Sequence, residues 1–416
     1  MSAVDDDGDE RRSEFFREAR SDLRGPLSGV RVLDVTTVWS GPMATCVLAD
    51  LGADVIRVEM PGNRADRLPP NIPGTGRSWF HETVNRNKRS IGLDLRAPES
   101  REVFLELLAT ADVMVENFRP GTLERWNLGY QQCRQVRPDL VLVSVSGWGQ
   151  WGSEYRRGGY DPVVQAASGW MSLNGDPEGD PVRSPTFLAD DVAGLHAAIG
   201  ALAALRHRDQ TGEGQHVDAA MMDALLFQSS GLLTLAATGV PLRRLGNRTE
   251  FLAPTGHYTC ADGGVYLVIA QDRQWRTLIR LMGRPELAEA PGFATNRERL
   301  DNREEIDALV AEWCLKHDVA DVVAQLGEAG LIVSPVRSFA EVAADPSVHE
   351  RGMLQETELS NGTRAPLTGP AVKFSRTPTA VRSGAPDAGQ HTEELLDEIG
   401  VDTQRRKILR SSGILS

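Results

Sequence analysis

Apolar and polar positions in the first half of the chain alternate between short apolar runs and helix-spaced segments. Val30-Arg-Val-Leu-Asp-Val35 alternates into an apolar run and predicts a strand. Residues 36–40 make a polar turn, and Gly41-Pro42 opens a segment, 43–51, with small and apolar residues at helical spacing. Proline suits the first helical turn, where its missing N–H has no partner anyway. Gly52 is placed to close that helix in the left-handed region. Residues 54–59 predict the next strand. A strand–helix–strand unit needs parallel strands and a right-handed crossover. The alternation continues with strands at 90–95, 111–116 and 140–145 and a helix at 99–110. The first half therefore predicts α/β architecture: a Rossmann-like open parallel sheet.

Residues 189–206, rich in Ala, Leu and Gly, predict a tightly packed interior helix, and 216–238 predict a second long apolar helix. After about Pro241 short strands (265–269) mix with charged amphipathic helices (274–282, 303–316, 319–329), which predicts a smaller α+β domain. The expected organisation is a disordered acidic tail over 1–26, a large domain beginning at 27–230, a small domain over 231–335, and a return to the large domain over 336–416.

The 416 residues carry a net charge of -13, part of it from Asp5, Asp6, Asp7, Asp9 and Glu10. An acidic chain repels phosphate backbones in bulk, so nucleic acid is not an expected partner. There is no apolar run of eighteen residues and no apolar leader at the N-terminus, so a membrane span and a signal peptide are not expected. Cys46, Cys133, Cys260 and Cys314 are scattered without a C-x-x-C, which fits buried thiols in a reducing cytoplasm. Paired Cys/His spacings are missing, so no metal site is expected.

Four stretches carry candidate chemistry. The Gly41-Pro42 turn leads into a helix N-terminus, a natural anion site, but G-x-G-x-x-G is absent, which argues against a bound dinucleotide. Glu116-Asn-Phe-Arg-Pro-Gly121 follows a strand end: Phe118 is placed to stack on a base, and Arg119 and Arg125 to pair with phosphates, or these arginines are simply solvated. Asp190-Asp191 begins the Gly/Ala-rich helix, either as helix-capping carboxylates or as a nucleophile at a pocket. Tyr160-Asp161 is the fourth, either packing or ligand contact.

Several words, in order, resemble one family. They are Leu27-Ser-Gly-Val-Arg-Val-Leu-Asp34, Gly52-Ala-Asp-Val-Ile-Arg-Val-Glu59, Asn87-Lys-Arg-Ser-Ile-Gly-Leu-Asp-Leu95, Glu116-Asn-Phe-Arg-Pro-Gly121, Gly212-Glu-Gly-Gln-His-Val-Asp218 and Gly389-Gln-His-Thr392. From about Gly25 to the end the chain resembles the class III CoA-transferases, relatives of formyl-CoA transferase and the carnitine CoA-transferases. The resemblance implies an interlocked homodimer that moves coenzyme A, as a co-substrate and not a resident cofactor, from an acyl-CoA donor to a carboxylic acid acceptor. It puts the covalent nucleophile at Asp190, four residues before Gly194, and aligns Tyr160 and Asp161 with the site. It implies CoA contacts at Val38, Trp39 and Ser40, at Leu93, Asp94, Leu95 and Arg96, at Asn117 and Phe118, and at Arg125. Trp39 stands where formyl-CoA transferase has Gln, and Met60 where it has a basic residue, which counts against an oxalate substrate. A racemase of the same fold uses a Gly-His-Asp word; here it reads Gly159-Tyr160-Asp161, and Tyr, with a pKa of about 10, is a poor base.

Overall fold

A computed structural model describes residues 4–62 and 65–416. Six strands form one parallel sheet: β1 (Arg31–Val35), β2 (Asp54–Glu59), β3 (Arg89–Gly92), β4 (Val113–Glu116), β5 (Val141–Ser146) and β6 (His216–Ala220). Their order is β3-β2-β1-β4-β5-β6, so the winding reverses between β1 and β4. Sheets of this kind bind ligands outside the carboxyl ends of the strands beside that reversal.

The central strands are apolar on both faces because both faces are covered. On one side Val32, Val113, Val143 and Val145 pack with the helices Ser40–Asp50 and Leu188–Thr211. On the other, Leu33, Ile56, Met114 and Leu142 meet the helices Ser100–Ala109, Tyr130–Val136, Thr392–Glu398 and Thr403–Ser411. Leu188–Thr211 is long and apolar enough to cross a membrane on those criteria alone, yet half of its apolar window is buried, and its inner face packs against the sheet.

The expected long helix at 216–238 is replaced by three pieces. Residues 216–220 are strand β6, followed by the helices Met221–Phe227 and Leu232–Ala237. A short apolar run reads equally as strand or helix. Here β5 supplies a parallel partner in register, Val143 opposite Val217, and Ser230 and Gly231 at positive φ break the helix that follows.

The chain divides into two compact units. The first takes residues up to Trp170, 183–240 and 346–416; the second takes 171–182 and 241–345. The return to the first unit thus begins at Pro346, because the helix Phe339–Ala343 still belongs to the second. In that second unit β7 (Thr255–Thr259), β8 (Gly264–Val268) and β9 (Ile332–Pro335) form an antiparallel sheet over a core of Trp275, Leu278, Ile306, Val310 and Val322. The first unit adds a hairpin of β10 (Leu354–Glu358) and β11 (Arg364–Thr368). Within the segment expected as a tail, Val4–Phe15 form a helix that is exposed from Gly8 onward; residues 1–3 lie outside the described residues.

Candidate active site

A cleft of about 190 Å³ opens at the carboxyl ends of β1, β4 and β5. The turn after β1 supplies Thr37 to Ser40, the turn after β4 supplies Asn117 to Pro120, and the end of β5 supplies Ser146, with Gly147 just after it. Arg157 to Tyr160, Asp190 and Met221 complete the wall.

The first turn is held in an unusual shape. Val38 has φ 65°, a left-handed conformation that a β-branched residue adopts at a cost of about 1–3 kcal/mol. Its neighbours over-determine it. Asp34 accepts hydrogen bonds from the Thr36 N–H (3.0 Å) and hydroxyl. Asn117 accepts from the Thr37 N–H at 2.8 Å and donates to the Thr37 carbonyl at 2.7 Å. Asn117, expected to contact CoA, therefore spends its amide clipping the β1 and β4 turns together. Gly41 is required there, since a Cβ would sit 2.5 Å from Thr36 Cγ2 and 3.1 Å from Asn117 Cγ.

Asp190 reaches the cleft through helix packing. A Cβ on Gly194 would lie 2.9 Å from the Ser40 carbonyl oxygen and 3.1 Å from Met43 Cβ. The missing side chain lets the helix Leu188–Thr211 approach the helix Ser40–Asp50. Asp190 is four residues earlier on the same face, so it lands beside Ser40, whose hydroxyl hydrogen-bonds its carboxylate.

Asp161, expected as a ligand contact, is buried and supports this helix start. It accepts from the Ala189 N–H at 2.6 Å, the Asp190 N–H at 3.4 Å and Gln165 Nε2 at 2.7 Å. These are the N–H groups a helix leaves unpaired at its start. Asp191 is drawn away: Trp39 Nε1 donates to it at 2.6 Å. Trp39 is packed among Phe80, Phe187 and Trp79, with ring centroids 4.6, 4.8 and 5.8 Å away. Of the two adjacent carboxylates, Asp190 lines the cleft and Asp191 is committed to Trp39.

Burial and the neighbouring charge of Asp161 push the Asp190 carboxyl up to about 7; the Ser40 hydrogen bond opposes this, and Asp191 adds to it. A more basic carboxylate is a better nucleophile once ionised. The same shift costs stability: native Asp190 keeps its proton where the unfolded chain has lost it, so stability falls as pH rises from about 4 to about 7. Asp190→Asn should raise the unfolding midpoint at about pH 8 and leave it nearly unchanged at about pH 4, the foot of that window. A thermal melt at both pH values checks the sign.

The other expected contacts divide. Val38, Trp39, Ser40, Asn117, Phe118, Arg119 and Tyr160 line the cleft with Asp190. Leu93, Asp94, Leu95, Arg96 and Arg125 do not: Arg96 pairs with Asp94 at 2.7 Å, Arg125 donates to Thr122 at 2.9 Å, and Leu95 shares a separate small cavity with Phe118. The sequence reading missed Arg157, which lies over the Trp148 ring at 4.5 Å and lines the cleft, and Met221.

The fold and the cleft define an α/β enzyme with a basic carboxylate at the topological switch point. The chain belongs to CoA-transferase family III, which it matches over residues 27–392. It is 37% identical to the succinyl-CoA–L-malate CoA-transferase beta subunit of Chloroflexus aurantiacus, over 94% of this chain and 98% of that one. It is 36% identical to the succinyl-CoA:mesaconate CoA-transferase of Haloarcula marismortui, over 92% of this chain and 99% of that one. A CAIB/BAIF family protein from Brucella suis has the same fold, with a TM-score of 0.81 and 33% identity over 91% of this chain and all of that one.

Proposed function

We propose that the protein transfers CoA from succinyl-CoA to a small dicarboxylic acid through covalent intermediates on Asp190. The observation that carries this is the separation of the two carboxylates: Asp190 faces the cleft beside Ser40, while Asp191 is held by Trp39. Arg119 and Arg157 line the same cleft and offer positive charge to a second carboxylate. The two enzymes at 36–37% identity are named for succinyl-CoA and a four- or five-carbon diacid.

The reaction needs no net proton transfer. Ionised Asp190 attacks the thioester carbonyl carbon, the C–S bond breaks, and CoA leaves as thiolate from a mixed anhydride. The thiolate attacks the Asp190 carbonyl carbon, releasing succinate and leaving an aspartyl-CoA thioester. The acceptor carboxylate attacks that carbon and expels the thiolate again; the thiolate then attacks the acceptor's acyl carbon and frees Asp190. Covalent steps divide one difficult exchange into easier ones. A site that excludes water protects the anhydride. A racemase would need two opposed bases. At the corresponding word Tyr160 is exposed and Asp161 is committed to the helix start.

The test is product analysis with succinyl-CoA and a panel of free acids: malate, mesaconate, glutarate, oxalate and the monocarboxylates acetate and butyrate. Transfer to a diacid with little transfer to monocarboxylates is expected. Transfer to none of them would contradict the reading.

The enzyme acts as a homodimer in this reading, interlocked as the resemblance implies. Leu188–Thr211 is apolar on its outer face as well, where Ile199 is 61% exposed, and Phe227 nearby is 77% exposed. An all-round apolar helix belongs in an interior, and a second copy of the chain supplies it. Ile199→Glu should lower the fraction that reassembles as dimer on refolding from denaturant, measured by light scattering; undiminished reassembly would remove this face from the interface. The free, buried thiols of Cys46, Cys133, Cys260 and Cys314 fit the reducing cytoplasm in which we place the protein.

A further inference from the structure

Glu116 ends β4 with its side chain buried, and the mechanism above does not use it. It does not line the cleft, but the next four residues, Asn117 to Pro120, all do. Its carboxylate accepts a hydrogen bond from the Phe118 N–H at 2.8 Å and another from the Ser144 hydroxyl on β5. Ser144 Oγ also lies 2.9 Å from His216 Nε2 on β6, and Tyr130 stacks on that imidazole at 5.3 Å between ring centroids. One carboxylate thus ties the end of β4 to the interior of β5, and through Ser144 to the start of β6, while holding the second residue of a cleft-lining turn. Asn117 anchors the same turn to the β1 side.

We propose that Glu116 is a positioning residue for CoA binding: its ionised carboxylate holds the 117–120 turn in the shape that receives CoA, and protonation slackens that hold. This rests on the functional reading above, since it takes CoA as the ligand of the cleft. Burial pushes the Glu116 carboxyl up to about 7; the Ser144 and Phe118 hydrogen bonds oppose the shift, and the charges of Glu124 and Asp218 add to it. The charged and titratable groups facing it are Arg119 and Glu124 from the turn and the short helix after it, Tyr130 from the helix Tyr130–Val136, and His216 and Asp218 from β6. A carboxylate accepts a hydrogen bond roughly twice as strongly as a neutral acceptor. The hold therefore weakens by degrees as the proton is gained, and does not vanish.

The experiment is calorimetric titration of dephospho-CoA into the Asp190→Asn protein between about pH 5.5 and 8.5. The probe lacks the 3′-phosphate, whose monoester titrates near pH 6, and the substitution removes the other carboxyl that titrates near neutrality. The dissociation constant is expected to rise about three- to tenfold as pH falls through about 7. With Glu116→Gln added, it should be flat and sit at the acid-limb value, because glutamine is a neutral acceptor of the same shape. The same pH dependence in that double variant, or a flat curve in both proteins, overturns the proposal. Ser144→Ala in the Asp190→Asn background is the second arm, and it holds even if the glutamine variant folds poorly. It leaves Glu116 in place but removes a bond that favours its ionised form, so the inflection should move to higher pH; an inflection that stays put or moves down also overturns the proposal. If the Asp190→Asn protein binds no dephospho-CoA at any pH, the functional reading itself fails and takes this inference with it.

Discussion

Asp190→Asn should reduce acyl-CoA:carboxylate exchange by at least about 10⁴-fold, the scale on which removal of a covalent nucleophile acts. The amide keeps the size of the carboxyl and can still accept from the Ser40 hydroxyl. Packing, the helix start held by Asp161 and the cleft wall should all survive. What disappears is the group of the protein that attacks the donor thioester in the proposed mechanism. Asp191→Asn is the matched control. Its partner is the Trp39 indole N–H, which an amide oxygen also satisfies, so exchange should fall far less. The contrast between two neighbouring carboxyls separates a chemical role from a general effect of charge at the helix start. Equal losses in the two variants would contradict the assignment. Initial rates of CoA-ester exchange at saturating donor and acceptor, followed by chromatography, decide it.

The second large effect concerns stability. Lys88 and Asp34 form an ion pair at 2.7 Å with neither side chain exposed. Asp34 also receives the Thr45 hydroxyl at 2.8 Å, and Lys88 donates to the Pro42 carbonyl at 3.0 Å and Asn85 Oδ1 at 2.9 Å. Burial raises the cost of ionising Asp34, but the charges of Lys88 and Arg57 outweigh it and hold the carboxyl below its usual range. Lys88→Met should cost about 3–5 kcal/mol, because it strands a buried carboxylate. That is a large part of the roughly 5–15 kcal/mol available to a folded domain. Adding Asp34→Asn removes the stranded charge and should recover much of the loss. Denaturant midpoints at constant slope measure both. The pair sits directly beneath the Thr36–Val38 turn, so the single variant should also loosen the cleft wall.

Much of the fold was legible because parallel strands buried on both faces appear as apolar runs bounded by turn residues. β1, β2, β4 and β5 fall where those runs predict them. β6 was not legible: His216-Val-Asp-Ala-Ala220 is short, and only its register against β5 makes it a strand. Asp190 was singled out by the family resemblance, which implies a nucleophile four residues before Gly194; the residues alone left helix capping and catalysis both open. That Asp191 is bound by Trp39 could not be read, since the two are 152 residues apart in sequence. The pairing of the Asn117 amide with Thr37 was hidden for a similar reason: a polar residue at a strand end does not reveal its hydrogen-bond partners. Val38 gave no sign of positive φ, because β-branched residues avoid that region unless the surrounding structure imposes it.

The most direct test of the central claim is to trap the intermediate. The protein would be incubated with succinyl-CoA and hydroxylamine, digested, and its peptides mapped by mass spectrometry. The account predicts a hydroxamate on Asp190, dependent on the CoA ester and absent from the Asp190→Asn protein. A protein that completes exchange yet yields no adduct on the peptide containing Asp190 would contradict it, as would an unmodified protein that instead exchanges the α-proton of a 2-methylacyl-CoA.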